Sequence, residues 1–194
     1  MMYVALLRGI NVGGNNTVSM TQLKKLFEEL GYKDITTYIN SGNVIFSNGQ
    51  TNPRQLEEEI EKELEKTFGF PIRVVVRSFD EMEEIIKQIP KHWEQQNDPL
   101  RSEASWRHNI IFLSHRIDNK NSFTDLTPKP NIEEMKYIPG VLLWTAKTSD
   151  LTHSTMITIN KSKFHKEMTV RNLNTARKIY ELMQNLQTNP HPSS

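Results

Sequence analysis

Met2-Tyr3-Val4-Ala5-Leu6-Leu7-Arg8-Gly9-Ile10-Asn11-Val12-Gly13-Gly14-Asn15-Asn16 joins an apolar run to a loop of three glycines, three asparagines and one arginine. The apolar run predicts a buried strand. Ser19-Met20-Thr21-Gln22 follows and has the pattern of a capping box, so a helix starts there. The loop therefore sits between a strand and a helix N-terminus. Glycine admits positive φ and close approach of a ligand, and asparagine tolerates the left-handed region. Two readings stand side by side. The loop presents backbone N–H groups and Arg8 to an anion beside the helix start, or it is a tight connection with unusual dihedrals.

Working outward, Met20, Leu23, Leu26, Phe27 and Leu30 recur at helical spacing up to Gly31. Ile35–Ile39 predicts a strand, Asn40-Ser41-Gly42-Asn43 a turn, and Val44–Phe46 the returning strand of a hairpin. Asn52-Pro53 starts a second helix with the stripe Leu56, Ile60, Leu64 and Phe68. Its acids, Glu57 among them, read as a mostly solvated face. Ile72–Arg77 predicts a fourth strand. A third helix, capped by Ser78 and Glu81, runs to Pro90. The fold class is α+β. Its first half follows the ferredoxin-like order β-α-β-β-α-β, and a mixed α/β second half is appended. In that order the first two strands run parallel, which brings the loop after the first strand to the same end of the sheet as the Asn40–Asn43 turn.

The second half is less regular. Asn109–Leu113, Val141–Trp144 and Met156–Ile159 predict strands, Asn131–Met135 a short helix, and Leu173–Leu186 a final helix. Its order reads β-α-β-β-α, with no residue-level repeat of the first half strong enough to assert. The expected division is 1–90 as a ferredoxin-like domain, 91–107 as a linker with Trp93 and Trp106 as packing anchors, 108–187 as a second α/β subdomain and 188–194 as a flexible tail.

The formal net charge of +1 excludes a global field that would select nucleic acid. The halves differ, however. Residues 1–90 carry 10 basic and 13 acidic residues, a net of −3, and residues 91–194 carry 14 and 10, a net of +4. Lys161–Lys178 holds six basic residues and Glu167 alone among acids. The absence of cysteine excludes disulfides, thiolate nucleophiles and cysteine metal sites. No long apolar stretch predicts a membrane span, so the cytoplasm is the expected location.

Motifs for specific chemistry are absent. The glycines miss the P-loop and dinucleotide spacings, no HExxH pairs the histidines, and Ser41 lies outside a nucleophile elbow. No metal site and no catalytic residue is assigned. Tyr3 and Phe46 occupy strands that carry stacking aromatics in RNA-binding sheets, but their surroundings favour core packing. Arg171 stands where the last helix begins, against the helix dipole. That position is explained if its side chain points to an anion or a carboxylate elsewhere.

Leu6–Gly14, Tyr38-Ile39-Asn40-Ser41-Gly42-Asn43-Val44-Ile45-Phe46, Ser162-Lys163-Phe164 and Thr169-Val170-Arg171-Asn172-Leu173-Asn174-Thr175 together resemble the family called domain of unknown function 1697. Members usually carry tryptophan between the two asparagines of the last motif, where this chain has Leu173. The resemblance implies a protein of a family widespread in bacteria, a fold related to the ferredoxin-like order, and no imported activity or cofactor.

The candidate ligand-binding set is Arg8, Asn11, Gly13, Gly14, Asn40, Ser41, Gly42, Asn43, Lys163, Arg171, Asn172 and Asn174. The leading expectation is a protein, binding or enzymatic, that takes a phosphate-containing or other anionic small molecule at the end of the first sheet. The alternatives are a nucleic-acid module using Lys161–Lys178 and a protein–protein interaction domain. Cofactor and oligomeric state stay open.

Overall fold

The computed structural model describes residues 1–14, 16–49, 52–96, 105–123 and 125–188. The tail beyond Thr188, with the histidine at 191, and residues 97–104 of the expected linker lie outside them. The elements in order are β1 (Met2–Leu7), α1 (Met20–Glu29), β2 (Lys33–Tyr38), β3 (Asn43–Ser47), α2 (Pro53–Phe68), β4 (Val74–Ser78) and α3 (Phe79–Lys87). They continue with α4 (His92–Gln96), β5 (Trp106–Leu113), β6 (Glu133–Ile138), β7 (Val141–Lys147), α5 (Met156–Lys161), β8 (Met168–Asn172) and α6 (Leu173–Thr188). The fold is α+β with two four-stranded antiparallel sheets, ordered β2-β3-β1-β4 and β6-β7-β5-β8.

Local chemistry sets the helix ends. Ser19 Oγ accepts from Gln22 N–H at α1, and Asn52 Oδ1 accepts from Arg54 and Gln55 N–H at α2. At α3 the Ser78 and Glu81 capping box is complete in both directions. One face of the first sheet is covered by α1 and α2. There Tyr3 and Phe46 pack with Phe27 and Tyr32 at the heart of an apolar cluster. The opposite face (Met2, Val4, Leu6, Ile45) shares one cluster with α3, α6 and the inner face of the second sheet (Ile110, Phe112, Val141, Leu143). Helix α6 touches both sheets.

The second half departs from the expected elements. Asn131 takes a positive φ of 68°, which interrupts the expected helix, and Glu133–Ile138 pairs with β7 as a hairpin turned at Pro139-Gly140. Met156–Ile159 is helical rather than extended. Thr155, just before it, is bound through its N–H and hydroxyl to the Glu133 carboxylate, and Ile159 turns into the outer core of the second sheet. Tertiary anchoring there overrides β-branched propensity. Met168–Asn172 is an edge strand, so the order is β-β-β-α-β-α. Glu57 and Glu61 correct the reading of α2's acids as a solvated face. Glu57 is fully buried and the Glu61 side chain is 11% exposed, because both accept N–H groups from the open edge of β4.

Candidate functional site

The ends of β1 and of the β2–β3 turn form one corner of the molecule. Leu7 N–H donates to Gly42 O at 2.8 Å, and the Asn11 amide nitrogen donates to Val18 O at 3.0 Å and Asn40 O at 2.9 Å. Asn11 Oδ1 also accepts Val18 N–H at 2.8 Å, so this residue is consumed in tying the loop shut. Gly42 has φ 73°, and a Cβ there would lie 2.7 Å from both Leu7 Cβ and Ile10 Cδ1. The two loops of the first half meet, as the parallel arrangement of β1 and β2 requires.

Arg171 reaches this corner from β8. Its Nη2 donates to Leu7 O at 2.8 Å, Ser41 O at 3.0 Å and Gly42 O at 3.4 Å, and its Nε donates to Asn43 Oδ1 at 2.5 Å. Its Nη1 donates to Thr169 Oγ1 at 2.8 Å and Val170 O at 2.9 Å. Every guanidinium N–H is therefore placed on a neutral acceptor. Among the described residues no carboxylate pairs with Arg171, and burial alone pulls its pKa down to about 10. Asn43, fully buried, is held in turn by Tyr38 O and Ser41 Oγ.

Beside this corner is a cavity of about 250 Å³ between the β1–α1 loop and the outer edge of β8. Arg8, Ser41 and Arg171 line it, with Gly9, Val170 and His165. Arg8 Nε donates to His165 O at 3.2 Å, and burial lowers the Arg8 pKa. Burial, then the cations of Arg8 and Lys166, depress His165. Asn11, Asn40, Gly42 and Asn43 stand behind the wall as its frame. Gly13 and Gly14, with φ 61° and 78°, are not part of the wall and serve the connection. Lys163 lies away from it over the Phe164 ring, 5.0 Å from its centroid. Asn172 caps α6 by accepting Thr175 N–H at 2.7 Å. With Asn174 it lines a separate hollow beside Trp93 and Trp106.

The two stretches that build this corner, Leu6–Gly14 and Tyr38–Phe46, fall within residues 1–144, which match the family described as "Protein of unknown function (DUF1697)". The chain belongs to that family. A solved structure of the conserved bacterial protein SP0830 from Streptococcus pneumoniae is similar to this DUF1697 chain. Its TM-score is 0.79 at 24% identity, with 94% of this chain and 98% of that one covered. No curated protein matches the chain. The likeness shows a shared fold.

The DUF1697 chain has a second corner built on the same plan. Arg77 of β4 donates through Nη2 to Leu113 O and to Gly140 O at 2.7 Å, and through Nη1 to Val76 O at 2.7 Å. Leu113 N–H donates to Gly140 O at 2.9 Å, as Leu7 does to Gly42. Leu113 pairs with Met168 as Leu7 pairs with Val74, so the registers coincide. The two arginines are thus equivalent, and each fixes the strand end and turn of the other half. The sequence carries a signal for this in Val76-Arg77-Ser78-Phe79 against Val170-Arg171-Asn172-Leu173, although the first of these alone reads as a strand end and a helix cap.

The corners differ in charge. Glu57 Oε1 lies 3.9 Å from Arg77 Nη1 and 2.8 Å from His115 Nδ1, and Glu57 Oε2 accepts His115 N–H at 3.2 Å. Burial opposes the charged form of His115, yet its hydrogen bonds with Glu57 and Glu81 raise its pKa to about 9. Burial likewise works against the Glu81 carboxylate, but the His115 hydrogen bond and the Arg77 charge bring it down to about 2. Among the described residues no group of three or more acids and histidines could hold a metal ion, and no helix is long and apolar enough to cross a membrane.

Proposed function

We propose that this protein binds a small anionic molecule, such as a phosphate-containing metabolite, in the cavity between the β1–α1 loop and β8, as a binding protein or an enzyme. One observation carries the reading. The buried charge of Arg171 and the neighbouring Arg8 have no acidic partner among the described residues, whereas the equivalent Arg77 faces Glu57. A buried cation balanced only by dipoles leaves a positive potential that an incoming anion relieves. Asn40, Ser41, Gly42 and Asn43 hold the frame, and Arg8, its Nε tied to His165 O, offers its Nη groups to the anion. The first half is read as ferredoxin-like, on its strand order β2-β3-β1-β4 with two helices on one face. Residues 1–90 and 108–187 are proposed as two structural units, joined through 91–107 and acting in the cytoplasm.

The basic segment Lys161–Lys178 favours this reading over nucleic-acid binding. Arg171 is buried, Arg177 pairs with Glu94 at 2.8 Å and Lys178 with Glu181 at 2.7 Å, so the segment does not present one continuous cationic face. The test is calorimetric titration with inorganic phosphate, sulfate and nucleotides at fixed ionic strength. Saturable binding that weakens about tenfold in Arg8→Ala, the loss of one charge-assisted contact, is the expected result. No saturable binding of any anion would overturn the reading.

A further inference from the structure

We propose that the group bound in this cavity is a carboxylate, seated against the open edge of β8 where Glu57 sits against β4. The inference rests on the anion-binding reading above and adds the chemical class of the ligand.

The equivalence of the two edges follows from ladder parity. Arg8 N–H donates to Arg73 O, so the pairs Leu6–Val75 and Val4–Arg77 carry the hydrogen bonds between β1 and β4. Val74 and Val76 therefore turn their N–H groups outward, and the carboxylates of Glu61 and Glu57 accept them at 3.0 and 3.1 Å. Ser114 N–H donates to Glu167 O in the same register, so Phe112–Thr169 and Ile110–Arg171 carry the bonds between β5 and β8. Met168 and Val170 then turn their N–H groups outward from an edge strand, into the cavity both residues line.

On the first edge the carboxylate comes from α2, which spans 16 residues. The corresponding crossover of the second half, between β7 and β8, has α5 with 6 residues, and no acid of that helix faces β8. The cavity occupies the space that the longer helix fills in the other half. Around Glu57 the donors are Val76 N–H, His115 N–H and the Arg77 charge. Around the cavity the counterparts are Val170 N–H, Gly9 two residues beyond the strand end as His115 is, and the Arg171 charge with Arg8. The Arg171 N–H groups are already occupied, so it acts through its field. The direct contacts fall to Val170, Gly9 and Arg8. One carboxylate with two oxygens matches this spacing on β4, and about 250 Å³ leaves room for a small organic acid.

The test is a titration of the ¹⁵N-labelled protein with acetate, succinate, benzoate and inorganic phosphate at constant ionic strength. At least one carboxylate is expected to shift the Val170 and Gly9 amides saturably in the millimolar range, more tightly than phosphate does. Val170→Pro removes an N–H that the ladder does not use, so it is tolerated at an edge. It should weaken carboxylate binding about tenfold, one hydrogen bond to a charged group. Saturable phosphate binding near Arg8 with no carboxylate response would overturn the carboxylate assignment and leave the anion reading standing. Carboxylate binding that leaves the Val170 amide unmoved would also overturn the assignment. Silence from all four ligands would overturn both. Should Val170→Pro not fold, the amide shifts of the unsubstituted protein decide alone.

Discussion

At the scale of single residues, Arg171 and Gly42 are the tightest constraints. Removing the Arg171 side chain strands the Ser41 carbonyl and the buried Asn43 amide oxygen and leaves the Leu7 carbonyl only the long bond from Thr169 Oγ1. Arg171→Ala is expected to cost about 3–5 kcal/mol of unfolding free energy, several buried acceptors left unpaired, measured by urea denaturation. Arg171→Lys keeps the charge but not the fork and should recover less than half of that. Gly42→Ala meets both a positive φ and a Cβ 2.7 Å from two side-chain atoms, and should cost about 3 kcal/mol or more. Gly13→Ala meets only the dihedral, with open space around it, and should cost about 1 kcal/mol. Equal effects at the two glycines would show that Gly42 is not a close-approach position. The sequence made Arg171's importance readable, since a cation at a helix start calls for another partner. The neutral nature of that partner was not readable, because it depends on strand ends brought together across more than a hundred residues.

At the scale of elements, the join between α2, β4 and the segment after β5 carries a titratable network. His115, held near pKa 9 in the folded protein against an ordinary value of about 6.5, contributes stability that is fully present below about pH 6.5. That contribution is lost as pH rises through 9. Glu81, held at about 2, contributes stability above about pH 4.5 that is lost as pH falls toward 2. Urea midpoints measured across this range should therefore fall on the alkaline side, and His115→Gln should flatten that limb and also weaken the acid limb, because Glu81 then keeps only the Arg77 charge and the Ser78 N–H. A slope unchanged by the substitution would assign it to another group. None of this was legible in Glu57-Glu58-Glu59, where a run of acids on a helix reads as solvent-facing. Only the parity of β4's outward N–H groups explains why two of α2's acids are drawn inward. The caps of α1, α2 and α3 were legible because their physics is local. The strand β8 and the helix α5 were not, because the anchoring of Thr155 on Glu133 and the pairing of β8 with β5 are long-range.

At the scale of the whole molecule, the face of the first sheet opposite α1 and α2 is covered by elements from both halves, α6 above all. The protein is therefore expected to unfold in one cooperative transition, with calorimetric and van't Hoff enthalpies that agree. Residues 1–90 alone should expose Met2, Val4, Leu6 and Ile45 and bind a hydrophobic dye. Two separated transitions in the full chain would show that the shared cluster does not couple the halves. The first half's strand order was legible from its alternating periodicities. The matching order of the second was hidden, since its crossovers contain a long polar loop and a short helix in place of two amphipathic helices.

The crossed arginines also bear on how the chain tolerates being cut. Because Arg77 secures the second half's turn and Arg171 the first half's, neither fragment keeps its own fastening when the polypeptide is severed within residues 97–104. The pieces should then behave as complementing fragments, each poorly structured alone and regaining the native spectrum when mixed. A circular permutant opened in that segment would keep both fastenings and fold, so continuity of the backbone there matters less than the presence of both partners.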